Sequence, residues 1–223
     1  MSGLSRREFI SGAASAGAIF SVPGCRDNRP APGNPIPPEG LVIPLCGEWS
    51  FRTDPDNKGE NESWQSMALD AADWMLVRTP HTWQVREDTA GYMGAAWYRR
   101  EFDLPELPDG AVIRAEFEAV YHSAKVWVNG QPAGEHLRKG YTALTLDLTS
   151  SVRAGERNTL AVRVDNSFDE RMLPFGKSFD WTVDGGIYRP ARLLITGPLY
   201  IETLSIRAIP DDNFTAAKLE PAL

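Results

Sequence analysis

The stretch FDWTVDGGIYRP, Phe179 to Pro190, gathers two carboxylates, a tryptophan, a tyrosine and an arginine around a Gly-Gly pair. Carboxylates accept hydrogen bonds from hydroxyls, and aromatic faces stack on the C–H face of a pyranose, so this mixture of residue types suits sugar recognition. Read locally, Asp184 caps the turn before Gly185-Gly186. Arg189 pairs with a carboxylate across the fold, and Tyr188 packs at its edge. The Gly pair lacks the G-x-G-x-x-G context and opens no helix, so it is no phosphate cradle. His81, His122 and His136 stand at no metal-ligand spacing, and the only cysteines are Cys25 and Cys46. Neither a metal site nor a cofactor is expected. His81, in TPHTW, reads as a brace for its loop, whereas His122 begins a strand and His136 ends one. Asp54-Pro55-Asp56-Asn57-Lys58-Gly59 begins like a calcium loop but lacks the later ligands, and it reads as a polar turn. No G-x-S-x-G elbow is present. The tryptophans are abundant, and Trp127, central in an alternating run, reads as core.

These side chains need elements to hold them. From Leu41 onward, apolar and polar residues alternate in short runs: AVIRAEFEAV, AKVWV, YTALTLDLT, TLAVRVDN, ARLLITG and YIETLSIRAI. Period two over five to eight residues means half-buried strands. Asn129-Gly130 is a two-residue hairpin turn, since both positions tolerate positive φ. Ala154 to Asn158 reads as a longer hairpin loop between two runs. Only Ser66 to Trp74 has any helical flavour. Many short strands without long helices predict an all-β fold, an antiparallel jelly-roll β-sandwich of about eight strands. The terminal DDNFTAAKLEPAL is expected to hold no complete element.

The formal charge is −7, which disfavours a nucleic-acid partner, because neutralising phosphates takes a basic surface. The first 25 residues read as an export leader. Arg6 and Arg7 precede a short Ala/Gly-rich apolar stretch, as in a twin-arginine signal. That stretch falls short of the roughly 20 residues a membrane span needs. Val22-Pro23-Gly24-Cys25 resembles a bacterial lipobox with Pro23 out of pattern, which makes Cys25 the candidate for lipidation. A periplasmic protein or a membrane-anchored lipoprotein follows, with membrane contact only through that lipid. Arg26 to Gly40 carries five prolines and no periodicity, so 26–40 reads as a semi-rigid linker. With Cys25 lipidated or removed, Cys46 becomes a buried thiol. A Cys25–Cys46 disulfide is the less favoured use of the pair, because one partner lies in a spacer.

Taken in order, LCGEWSFRTDPDNKG, LVRTPHTWQ, GYMGAAWYRREFDLP, the long FEAVYHSAKVWVNGQPAGEHLRKGYTALTLDLTSSVRAGERNTLAVRVDN and DGGIYRPARL resemble the N-terminal sugar-binding domain of glycoside hydrolase family 2. That is the β-galactosidase, β-glucuronidase and β-mannosidase family. The resemblance runs from about Leu45 to Ile209. It implies a galactose-binding-domain-like jelly roll at 41–209 and, over 210–223, the start of a linker to an immunoglobulin-like domain. In the family a TIM barrel follows and carries both catalytic glutamates of a retaining double displacement. No catalytic residue is therefore expected in this chain. The resemblance also implies a substrate contact at Asp180, six residues ahead of Gly186, with Trp181 beside it. The asparagine that family members place before the W-Y-R-type strand is replaced here by Gly94 and Ala95. Three readings follow: the carbohydrate-binding domain of an exported β-glycoside hydrolase, truncated before its barrel, which the FDWTVDGGIYR arrangement favours; a free-standing surface-tethered carbohydrate-binding module without hydrolytic activity; or an inactive remnant or structural sandwich that mediates protein contacts. Whether the chain counts as an enzyme is left open by its missing barrel.

Overall fold

The computed structural model describes residues 40–172 and 182–222. The alternating runs form the expected strands: β1 (Leu41–Pro44), β2 (Gly47–Asp54), β3 (Met75–Thr79), β4 (Ala95–Asp103), β5 (Val112–Phe117), β6 (Ser123–Val128), β7 (Gln131–His136), β8 (Leu144–Asp147), β9 (Arg157–Asp165), β10 (Ala191–Thr196), β11 (Ser205–Pro210) and β12 (Ala217–Ala222). A four-stranded sheet, ordered β1-β10-β5-β8, faces a six-stranded sheet, ordered β3-β2-β4-β9-β6-β7. Every pairing is antiparallel. The sandwich is all-β as read from the sequence, with ten strands rather than about eight. Ser66–Trp74 forms turns, and the only helical turn among the described residues is a 3₁₀ turn at Trp83–Val85.

The period-two pattern sets the core. Inward residues of one sheet (Leu41, Ile43, Ile113, Phe117, Leu193, Ile195) meet Trp49, Phe51, Tyr98, Val126, Val162 and Val164 of the other in one cluster. The outward residues of β4, β6 and β9 form a second cluster. There Trp97 stacks on Trp127 at 5.0 Å, and Trp64 and Trp74 close over them. Trp127 is buried as expected, but under the 55–74 loop on the outer face rather than between the sheets. Asp54 pins that loop by accepting hydrogen bonds from Lys58 N–H, Gly59 N–H and Trp97 Nε1. The calcium-like segment is thus the polar turn its missing ligands implied.

Asn129 and Gly130 take φ of 51° and 79° and close the β6–β7 hairpin. Three expectations are corrected. Ala154–Asn158 is not a hairpin loop: β8 pairs with β5 and β9 with β4 and β6, so the connection crosses between sheets. The C-terminal tail does hold an element, since β12 pairs along all of β11, and that hairpin contacts no other strand. Cys46 is disulfide-bonded and not the expected thiol.

Candidate functional site

β9 ends at Asp165; the excursion that follows is described from Asn166 to Met172 on its outgoing leg and from Thr182 onward on its returning leg. The residues between carry the expected substrate contacts, Asp180 and Trp181, which lie outside the described residues, as do Cys25, Arg6 and Arg7. The base on which that excursion stands is fully described. Asn166 is 1% exposed although it is an amide, which calls for an account of its hydrogen bonds. Its Oδ1 accepts from Gly94 N–H at 2.9 Å, and its Nδ2 donates to Val183 O at 2.8 Å. Its own N–H donates to Gly94 O at 3.2 Å. One side chain therefore ties the outgoing leg, the returning leg and the start of β4 together.

Further bonds fix each leg. His122, buried at the start of β6, sets its Nε2 at 2.6 Å from Ser167 O, so Nε2 carries the hydrogen. Its Nδ1 then accepts from the Ser123 hydroxyl at 2.9 Å. Asp165 accepts from Ser167 N–H at 2.8 Å and from Arg163 Nη2 at 3.1 Å. Burial works against the Asp165 charge, yet these bonds hold its carboxyl below the usual range.

On the returning side, Gly185 N–H donates to Gln84 Oε1 at 2.7 Å, and Gly186 forms an isolated bridge with Tyr121. Both glycines are steric requirements. A Cβ on Gly185 would fall 2.0 Å from Trp83 Cζ2, and one on Gly186, with φ of 139°, 2.3 Å from His81 O. Gln84 thus takes the N–H that Asp184 was expected to cap. Asp184 instead accepts from Thr182 Oγ1 at 3.2 Å. Arg189 lies over the Tyr188 ring at 5.9 Å, and the arginine that meets carboxylates is Arg192, with Glu116 and Glu118.

His81 braces its loop as expected. Its N–H donates to Ile187 O at 2.8 Å, and Nδ1 lies 2.8 Å from the Tyr98 hydroxyl. The Ile187 backbone also bonds that hydroxyl, and Nε2 is buried without a partner among the described residues. Burial, reinforced by Arg86, pushes the His81 pKa down to about 4.

Beside the returning leg lies a recess of about 360 Å³, lined by Thr82, Tyr121, Tyr141, Thr182, Asp184 and Tyr188. The Tyr121 and Tyr141 rings are 5.6 Å apart and inclined at 60°. Burial pushes the Tyr121 and Tyr188 hydroxyls up, so both remain protonated donors at neutral pH. A larger groove of about 970 Å³ lies elsewhere, walled by Arg114, Thr196, Tyr200 and the run leading to β11. It shares no residue with the clasp.

The family description "Glycosyl hydrolases family 2, sugar binding domain" matches residues 43–197, the whole sandwich from β1 to β10. The chain belongs to glycoside hydrolase family 2. Among similar curated proteins are a β-galactosidase of Bacteroides ovatus, 33% identical over 58% of this chain, and a β-glucuronidase of Paenibacillus borealis, 29% identical over 73% of it. The chain spans 16% and 30% of their lengths, respectively. Among solved structures, a β-glucuronidase of an uncultured Clostridium sp. superposes with a TM-score of 0.71 at 29% identity, covering 80% of this chain and 33% of that one. A Ruminococcus gnavus β-glucuronidase reaches 0.73 at 21% identity over 85% of this chain and 34% of its own, a likeness of fold.

Sequence reasoning missed Asn166. The residue sits in VDN at the end of an alternating run and reads as an ordinary turn former. Its partner Gly94 had been singled out only for lacking the family's asparagine. The signal available was the pair of polar residues, Asp165 and Asn166, closing the alternating run LAVRV.

Proposed function

We propose that this chain is the N-terminal carbohydrate-binding domain of an exported, retaining family 2 hydrolase of β-linked glycosides. The bond-breaking carboxylates come from a barrel domain outside it. The single observation that carries this reading is the Asn166 clasp. It ties Asn166 and Val183, which flank in sequence the stretch that carries Asp180 and Trp181, to Gly94 beside β4, so the described ends of that stretch stand on a rigid base. A contact that must reach a sugar held mainly by another domain needs such a base, because loss of positioning is costly in rate. The Asp180 carboxylate would accept hydrogen bonds from sugar hydroxyls, and Trp181 would offer a stacking face.

The test is Asp180→Ala in the whole enzyme, assayed with aryl β-galactosides and β-glucuronides. A fall in kcat/KM of about tenfold or more is expected. Unchanged kinetics would return Asp180 to a structural role. The alternative, a free-standing module without hydrolytic activity, draws support from the tyrosine recess, which offers aromatic faces within the domain. It predicts that the native protein never turns over aryl β-glycosides.

Export through the Arg6-Arg7 signal, with lipidation of Cys25, completes the reading. One thiol cannot be both a thioether and half of a disulfide, and the chain has only two cysteines, so the lipidated form is one in which Cys25 is not bonded to Cys46. Cys25→Ser is expected to move the protein from the membrane fraction to the soluble periplasmic one. If it fractionates with membranes as before, the anchor is wrong.

A further inference from the structure

The walls of the tyrosine recess are fixed by backbone and hydroxyl bonds. Tyr121 is 4% exposed and its backbone bridges Gly186, so one wall is fixed to the clasp. Tyr188 OH donates to Gly140 O at 2.6 Å, which holds the loop carrying Tyr141. Gly140 is the residue that lets this loop lie flat against the ring, since a Cβ there would fall 2.5 Å from Tyr121 Cδ2. Tyr141 remains 44% exposed at the rim. The two inclined rings make a corner whose shape is set before any ligand arrives.

We propose that this recess is a binding subsite for a neutral pyranose, the sugar unit next to the one whose glycosidic bond is broken. The inference rests on the family 2 reading above and extends it from the reacting sugar to its neighbour. A pyranose laid in the corner puts its C–H face on one tyrosine ring and its edge on the other. At about 360 Å³ the space lies at the small end of the roughly 300–1,000 Å³ typical of ligand sites, which suits one sugar ring. The polar groups fit hydroxyls. Asp184 accepts from Thr182 Oγ1 and, as a carboxylate, has lone pairs left for a vicinal diol. The Thr82 hydroxyl, also in the lining, donates to Gln84 Oε1, which leaves its oxygen able to accept. The charge selects against a uronate. Among the described residues, Asp184 is the one formal charge in the lining, and Arg189 lies on the Tyr188 ring without lining the recess. Position supplies the register: Thr182, in the lining, directly follows Asp180 and Trp181.

The experiment is a titration of the full chain by calorimetry and by amide chemical-shift mapping. The probes are methyl β-D-galactopyranoside, cellobiose and methyl β-D-glucuronide. Saturable binding of the two neutral sugars is expected at about millimolar Kd, with shifts at Tyr121, Gly140 and Asp184 and weaker binding of the glucuronide. Tyr141→Ala should weaken neutral-sugar binding about tenfold without moving Tm, because that ring is half exposed. Asp184→Asn should narrow the gap between glucuronide and galactoside. Absence of saturable binding by all three probes, shifts confined to the Arg114–Tyr200 groove, or Tyr141→Ala binding unchanged would each overturn the proposal. The two readings fail separately. Kinetics indifferent to Asp180→Ala with recess binding intact would sink the hydrolase reading alone. A sensitive Asp180 with no recess binding would sink this one alone.

Discussion

Replacing Asn166 by alanine tests the clasp directly. The amide makes two short side-chain bonds, from Gly94 N–H and to Val183 O, at 2.9 and 2.8 Å, and a weak third from Nδ2 to Met93 Sδ at 3.5 Å. Each such bond contributes about 0.5–1.5 kcal/mol net, and more where a partner is left dry. Asn166 is itself buried, but Gly94 is half-buried and Val183 is 38% exposed, so water can reach the groups it would orphan. A loss of about 1–3 kcal/mol follows. Native-state hydrogen exchange reads it where it occurs. The Gly94 amide loses its acceptor outright and should exchange about 5–150-fold faster. The Gly185 amide, on the returning leg, should follow. The whole domain should lose roughly 2–4 °C of Tm per kcal/mol. Asn166→Asp sharpens the test, since it keeps the acceptor for Gly94 but sets an anion against the Val183 carbonyl. Its folded pKa is then raised, so its deficit is smallest at acid pH, where the protonated carboxyl donates again, and grows as pH rises through that value. If the alanine variant lies within about 0.5 kcal/mol of the parent and Gly94 exchange is unchanged, the clasp does not hold the excursion and the positioning reasoning falls with it.

Gly185→Ala should cost at least about 1–3 kcal/mol, because its Cβ would need the place of the fully buried Trp83 ring; a Tm unchanged from the parent would show that the ring can yield. Urea denaturation at a series of pH values should show stability intact above about pH 6.5, falling as pH drops toward 4 and level below, as far as His81 is concerned. The folded pKa of about 4 lies under the ordinary 6.5, so the unfolded chain binds the proton first. After allowance for partial exposure, about 2 kcal/mol is at stake. His81→Gln should remove that share of the slope, and a slope identical to the parent's would refute the assignment.

The fold was legible because period-two alternation and the Asn-Gly turn are local signals, and local signals survive in a sequence. Strand pairing is not local. Nothing near Ala154–Asn158 tells whether the next run returns to its neighbour or crosses to the facing sheet, since that depends on which partner edges remain open. The six-stranded sheet likewise buries its outer face under the 55–74 loop, and this placed Trp127 outside the main core. In FDWTVDGGIYRP the residue types foretold a polar, aromatic surface, and the family resemblance assigned Asp180 and Trp181 to substrate. Tertiary structure decided the division of labour around them. Gly185 and Gly186 are glycines because Trp83 and His81, 102 and 105 residues away in the chain (185 − 83 and 186 − 81), occupy the space of a side chain. Asp184 lines a recess because Gln84 already holds the N–H it was expected to cap. Asn166 closes the neck because a strand paired to β9 brings Gly94 beside it. Composition and spacing determine which elements form and what chemistry they offer; which of those groups meet is set by packing, where a hydrogen bond or a clash joins residues that the chain keeps far apart.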